Sequence, residues 1–419
     1  MKITAVEAIP IQASMQAGDV YWGNQSWGRA KPARANAPGL PPGDDRSQYP
    51  PFWRSRAAYS PTVDTTIVKI TTDSGLIGWG EAKSPVAPTI TATILRDLTE
   101  GLLLGEDPTN PTLHWDRLYG AMRIRGHSHG FWMDVISAID IALWDLTGKA
   151  YGVPVSQLLG GRFRDRIQIY ASGIPGLRAD APPEAWDNLR VTARNVRELG
   201  FHGTKMGIGL GVEGDIRSVQ TVRETLGPDF MIFVDTAGMY DLSAALRLGR
   251  ALEPLNVGWL EAPLPPEDFE KHAVLTRSLN IPIASDQIFN RWQARDLMLA
   301  GSIDVIQPDV CRTGGITECK RIADLADAFG RACTPHVSIG SAIQFAASAH
   351  IAAATPNQTW MEFWYGRNPI GDAILDEPLT VGGGYFTVPD GPGLGIQVNE
   401  EKLRRFAVPG WQTGSGHAD

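Results

Sequence analysis

The sequence is short of cysteine, of uninterrupted apolar runs and of positive charge. Only three of its 419 residues are cysteine, Cys311, Cys319 and Cys333. The number is odd and the CxxC spacing of zinc and dithiol sites is missing, so neither a disulfide framework nor a thiol-ligated metal is indicated, and a reduced, cytoplasmic setting fits. No stretch approaches a membrane-spanning length. The opening residues, MKITAVEAIPIQ, alternate apolar and polar side chains like a strand and lack the continuous apolar run of a signal peptide. Lys and Arg number 38 against 46 Asp and Glu, a formal charge of −8. That balance argues against nucleic acid or an anionic membrane as the main partner, because both require clustered cations. A small anionic substrate needs only one local positive site.

What remains is an ordinary soluble composition, 43% hydrophobic and 20% charged, able to bury a large core. The length exceeds one common compact domain, so two domains are expected. After the first strand, residues 15–56 are rich in Gly, Pro, Trp and Arg and show little periodicity. They read as a long loop. Tyr21, Trp22, Trp27, Tyr49 and Trp53 within it point to a substrate-covering segment rather than plain disorder. VDTTIVKITTDSGLIGWGEA then gives two alternating runs around the turn Asp73-Ser74-Gly75. Helical segments follow at about 89–104 and 110–122, completing a small α+β unit. Ile136, Ile139, Leu143 and Leu146 form one helical stripe over 134–149, which Gly152 and Pro154 stop.

Beyond Arg166 the pattern changes to short β-branched runs alternating with helical stretches: IQIYAS, GTKM, MIFVD, VGWLEA, IPIAS, IDVIQPD, RACTPH and TWMEFW. This rhythm suits consecutive βα units, either a closed barrel or an open doubly wound sheet. Lys205, Asp235, Glu261, Asp286, Asp309, His336 and Glu362 stand at or near the C-terminal ends of successive runs. In a parallel barrel those ends converge on one mouth, whereas an open sheet would scatter them. The barrel is therefore preferred, and the segment from about Pro378 onward is expected to return to the N-terminal unit.

Asp235, Glu261 and Asp286 at three consecutive strand ends would repel one another unpaired, and together they suit a hard divalent cation such as Mg2+. Asp309 and His336 end adjacent strands, so a carboxylate can orient one imidazole nitrogen and leave the other as general base and acid. Glu362 is a candidate hydrogen-bond donor to a substrate oxygen if burial keeps it protonated. Lys205 can neutralise a substrate carboxylate or the charge that develops on it. The competing structural roles are a helix N-cap for each acid, a satisfied core histidine, an ion pair for Glu362 and a salt bridge from Lys205 to Asp235.

These residues resemble the enolase superfamily, and within it the mandelate racemase subgroup. The likeness is carried by SAIDIALWDLTGKAYGVPVSQLLGG from Ser137, GFHGTKMG from Gly200, VD at Asp235, WLEAPLPPED from Trp259, IQPDVCRTGGITE from Ile306 and TPHVSIGSAIQFAASAHIAAATPN from Thr334. It implies an α/β fold: a modified TIM barrel, (β/α)7β, over 136–375. The α+β capping domain would comprise residues 1–135, with the covering loop at about 15–56, and the returning segment 376–419. It also implies Mg2+ on Asp235, Glu261 and Asp286 and an Asp309–His336 dyad assisted by Glu362. Lys205 is expected among the catalytic residues, Trp22, Trp53, Arg54 and Ser172 among the substrate contacts, and a homo-oligomer as the assembly.

Two departures from the subgroup bear on the reaction. Where most members carry Lys-x-Lys after the second barrel strand, this chain has Lys205-Met206-Gly207, and the position two after the first acid is Ala237 rather than Asn or His. Racemisation or epimerisation needs a base on each face of the α-carbon, and Gly207 leaves only one of the pair. Elimination can use one residue twice. The pattern is similar to acid-sugar dehydratases of the rhamnonate dehydratase kind, which implies a lyase that converts an aldonate or aldarate to a 2-keto-3-deoxy acid. A racemase, epimerase or cycloisomerase of the same superfamily, and a catalytically silent acid-sugar-binding barrel, are the alternatives.

Overall fold

The computed structural model describes residues 1–16 and 59–411. The expected covering loop, with Trp22, Trp53 and Arg54, lies outside the described residues.

The alternating runs at the N-terminus form an antiparallel sheet, β1 (Ile3–Ser14), β2 (Thr62–Thr72) and β3 (Ile77–Ala82). The turn between β2 and β3 contains Gly75 at φ 81°, a backbone state that favours glycine. One face of the sheet packs on the helix Phe131–Tyr151, and the approach is close: a Cβ at Gly80 would lie 1.8 Å from the Ala138 carbonyl oxygen and one at Gly78 2.3 Å from that of Ala142. The alternate glycines of IGWGEA are thus a seat for this helix. The helix ends at Gly152, whose N–H bonds back to Gly148, as the sequence predicts. It runs unbroken through residue 135 and faces the barrel on its other side, where Asp140 accepts from the N–H and hydroxyl of Thr317 at 2.9 and 2.6 Å. The expected single helix at 89–104 is in fact two α-helical pieces, Pro88–Ile94 and Glu100–Leu103, with a π-turn over Leu95–Thr99 between them.

Each of the eight barrel runs forms a parallel strand: β4 (Arg166–Pro175), β5 (Gly203–Gly207), β6 (Met231–Asp235), β7 (Val257–Glu261), β8 (Ile283–Ser285), β9 (Val305–Ile306), β10 (Ala332–Cys333) and β11 (Met361–Trp364). Neighbours pair in chain order from β4 to β10, and β11 pairs back on β4 from Met361↔Ile169 to Trp364↔Ser172. Between β10 and β11 the seam is held by Cys333 N–H to the Asn357 carbonyl at 3.2 Å and by the Thr334 and Thr359 hydroxyls at 3.0 Å. This is the closed barrel, not the open sheet. Tyr170, Phe233, Trp259, Ala284 and Val305 fill its lower interior, and the Phe233 and Trp259 rings stack at 3.6 Å. The carboxylates above therefore stand on an apolar floor, where charge is poorly screened.

The C-terminal segment divides its contacts. A hairpin of β12 (Val381–Gly382) and β13 (Tyr385–Thr387) pairs antiparallel with the start of β4. Residues 400–411 then reach the cap, where Ala407 bridges to Ile11, Val408 N–H donates to Pro10 at 2.9 Å and the Trp411 indole donates to Ala8 at 2.8 Å. No helix among the described residues is long and apolar enough to cross a membrane.

Candidate active site at the barrel mouth

The strand ends bring the seven expected ionisable residues to one end of the barrel. Asp235 and Glu261 are register partners at the ends of β6 and β7. The Asp235 carboxylate accepts the Ala237 N–H at 2.7 Å. Glu261 is fully buried and its two oxygens divide their partners: Oε1 meets Lys205 Nζ at 2.9 Å, while Oε2 accepts the Trp259 indole and the Gln307 amide at 3.1 Å each. Burial raises the Glu261 carboxyl to about 7, with Asp235, Asp286 and Glu362 adding to the rise and Lys205 opposing it. Negative charge is thus in surplus at the mouth, and a divalent cation would relieve it.

Glu261, Asp286 and His336 offer ligand atoms within 4.8 Å of one another. His336 Nε2 lies 3.7 Å from Asp286 Oδ2 and 3.5 Å from Glu362 Oε2. That cluster joins two of the three expected ligands, Glu261 and Asp286, with His336, and Asp235 stands beside Glu261 in register. Their donor set, the carboxylate oxygens of Asp235, Glu261 and Asp286, has the hardness that Mg2+ requires.

His336 Nδ1 is 2.9 Å from Asp309 Oδ2. Burial would raise the Asp309 carboxyl, but Lys83, the His336 bond and Arg312 outweigh it and hold the group well below the usual carboxylate range. Asp309 is therefore an acceptor for His336 Nδ1, and Nε2 is turned toward the mouth, between Asp286 and Glu362.

Lys205 bridges Glu261 and Glu362, each at 2.9 Å, so its ion pairs differ from the Asp235 salt bridge that was its competing structural role. Burial would lower the Lys205 ammonium, yet Glu261, Glu362, Tyr170 and Asp235 push it well above its ordinary value. One expectation is corrected here: Glu362 is not kept protonated. Burial raises it, but Lys205, His336, the Ser172 hydroxyl and the Val337 N–H together hold it well below the usual range. It accepts from Val337 N–H at 3.0 Å and Ser338 N–H at 2.7 Å, so it is an ionised acceptor, not a donor. Ser172, buried beside Lys205 in the β4–β5 register, spends its hydrogen bond on Glu362.

Left-handed backbone recurs just after these groups, at Ala237 (φ 51°), Ala262 (φ 43°) and Ser338 (φ 57°). Such conformations in non-glycine residues collect at functional sites. Gly207 closes β5 two residues after Lys205. Strand alternation puts both on the same face, and one of those two positions has no side chain to offer. Lys83, Gln307 and Gln344 also serve the mouth, and all three were missed from sequence because single polar residues far apart in the chain carry no spacing signal.

A (β/α)7β barrel with an antiparallel cap and a mouth crowded with carboxylates defines an enolase-type scaffold. The chain belongs to the mandelate racemase / muconate lactonizing enzyme family of the enolase superfamily: residues 45–160 match the family's N-terminal domain and 188–402 the enolase C-terminal domain-like fold. It is 38% identical to D-galactarolactone cycloisomerase of Agrobacterium fabrum over 82% of this chain and 91% of that one. It is 32% identical to arabinonate dehydratase of Saccharolobus solfataricus, with the same coverages. Among solved structures, the 3,6-anhydro-D-galactonate cycloisomerase of Zobellia galactanivorans superposes with a TM-score of 0.80 at 28% identity, over 97% of this chain and all of that one. A racemase of Streptomyces coelicolor A3(2) with bound magnesium gives 0.79 at 25% identity, over 97% and 100%.

Proposed function

We propose that the protein is a Mg2+-dependent sugar-acid dehydratase. The observation that carries this reading is the Asp309–His336 pair at 2.9 Å with Nε2 turned to the mouth, while Gly207, two residues after Lys205 at the end of β5, has no side chain to serve as a second base. His336 Nε2 takes the proton α to the substrate carboxylate, a double bond forms between the α- and β-carbons, and the bond from the β-carbon to its hydroxyl breaks. The imidazolium returns its proton to the departing oxygen, which leaves as water. The resulting enol becomes a 2-keto-3-deoxy acid. One histidine thus acts as base and then as acid.

Asp235, Glu261 and Asp286 would hold the Mg2+, which supplies positive charge to a substrate carboxylate whose α-proton is being removed. Lys205 adds an ammonium to the same side and Glu362 fixes it there at 2.9 Å. Held between two carboxylates, Lys205 is placed to stabilise charge and not to accept a proton, which weighs against the two-base alternatives. The three buried free thiols support a reducing, cytoplasmic setting.

The 38% identity to a cycloisomerase favours a second reading. On a lactone carrying a free carboxylate, the same proton abstraction would expel the ring oxygen from the β-carbon, and the product would keep the mass of the substrate. A screen of aldonates, aldarates and aldarolactones by mass spectrometry separates the two, since dehydration loses one water and ring opening loses none. Acids recovered with mass and chromatographic retention unaltered, and without α-deuterium from heavy water, would leave a binding protein and refute the enzyme assignment.

A further inference from the structure

Cap strand β3 ends in Gly80-Glu81-Ala82, and Lys83 follows it directly. Alternation places Glu81 and Lys83 on one face of the strand, and that face is turned to the barrel. Both are buried. Lys83 Nζ donates to Asp309 Oδ2 at 2.8 Å and to the Val337 carbonyl at 3.0 Å. Glu81 accepts from Thr65 Oγ1 at 2.9 Å, from the Ser341 N–H and hydroxyl at 3.1 and 2.6 Å, and from the Gln344 N–H at 3.1 Å. It therefore anchors the first turn of the helix Ala342–Ala353. From that turn Gln344 extends its amide to Asp309 Oδ1 at 2.9 Å.

Both oxygens of Asp309 are consequently held by groups that β3 supplies or anchors. Lys83 shares Oδ2 with His336 Nδ1, and Gln344, seated on Glu81, shares Oδ1 with the Cys311 N–H at 2.8 Å. We propose that the end of β3 positions the dyad: Lys83 directly, and Glu81 through Gln344, lock the Asp309 carboxylate so that it holds His336 by Nδ1 and turns Nε2 to the mouth. Lys83 is a positioning residue, since it acts on the reaction only through Asp309. Seating of the cap then becomes a condition for proton transfer. The inference rests on the dyad assigned above. A carboxylate fixed by several donors imposes one tautomer and one ring orientation on its histidine, whereas a loosely held one does not.

The test compares full-length Lys83→Met, Lys83→Arg, Asp309→Asn, the double variant Lys83→Met/Asp309→Asn, and Asp140→Asn as a buried helix–barrel contact to Thr317. On the acid turned over in the library screen, Lys83→Met is expected to lower kcat about 10- to 100-fold with KM changed by no more than about twofold. Lys83→Arg should recover most of the loss. The double variant should be no slower than Asp309→Asn alone, because the two act through one oxygen. Unchanged kcat in Lys83→Met, additive losses in the double variant, or an equal fall in kcat in Asp140→Asn at matched loss of Tm would each reduce Lys83 to a structural ion pair. The imidazole 15N shifts of His336, assigned with His336→Asn, give a readout that needs no substrate. One fixed tautomer in the wild type, mixed signals in Lys83→Met and recovery in Lys83→Arg support the proposal, and an unaltered pattern in Lys83→Met overturns it. Should Asp309→Asn keep full kcat, the dyad itself is refuted, and the nitrogen shifts alone then judge Lys83.

Discussion

Lys205 and Glu362 face one another at 2.9 Å across the ends of β5 and β11, and the same ammonium reaches Glu261 at 2.9 Å. Lys205 is thus the shared counter-ion of two buried carboxylates. Lys205→Met should destabilise the metal-free protein by about 3 kcal/mol, since removing one partner of a buried pair leaves uncompensated charge. Added Mg2+ should recover part of that loss. The comparison is urea unfolding with and without chelator, and a loss that is small and indifferent to Mg2+ would separate Lys205 from the metal-binding carboxylates.

His336→Asn should abolish α-deuterium exchange and product formation together, a loss of roughly 10²- to 10⁴-fold, while substrate affinity survives. NMR of the α-position in heavy water follows exchange, and calorimetry follows binding. Exchange that persists in His336→Asn but disappears in Lys205→Ala would transfer the base to Lys205.

Magnesium affinity, measured by calorimetry, should fall by orders of magnitude in Asp235→Asn and Glu261→Gln, because a neutral amide removes charge from a hard-cation site. Chelation should stop turnover. Equal affinity in wild type and both variants would dismantle the ligand assignment.

The buried His350 provides a pH-dependent contribution remote from the mouth. It accepts the Ser156 N–H at 3.3 Å and donates to the Leu394 carbonyl at 3.1 Å, and burial pushes its imidazole down to about 4 from 6.5. The folded protein keeps it neutral while the unfolded chain protonates it. Its contribution is therefore complete above pH 6.5 and is lost as pH falls toward 4, about 3 kcal/mol in all. His350→Gln should flatten that part of the stability curve. Parallel curves for variant and wild type across this interval would assign the acid sensitivity elsewhere.

The barrel was legible because each strand is a short apolar run ending in one polar residue, a signal confined to a few neighbouring positions. Lys205, Asp235, Glu261, Asp286, Asp309, His336 and Glu362 were all found in this way. The ionisation of Glu362 was not, because it depends on Lys205, His336 and Ser172, which three other strands bring together. Lys83 was missed for a similar reason: its partner Asp309 lies 226 residues away in the chain, and nothing local distinguishes that lysine from an exposed one. The π-turn at Leu95–Thr99 likewise leaves the apolar spacing of its helix almost unchanged, so periodicity alone passes over it.

Residues 400–411 close on β1, the first strand of the chain. During synthesis the cap sheet and the helix Phe131–Tyr151 emerge early, but β1 lacks its last partners until nearly the whole barrel has been made. Contacts this far apart in sequence form late and slowly. The cap therefore gains its Ile11 bridge and the bonds to Pro10 and Ala8 only after residues 400–411 have been made.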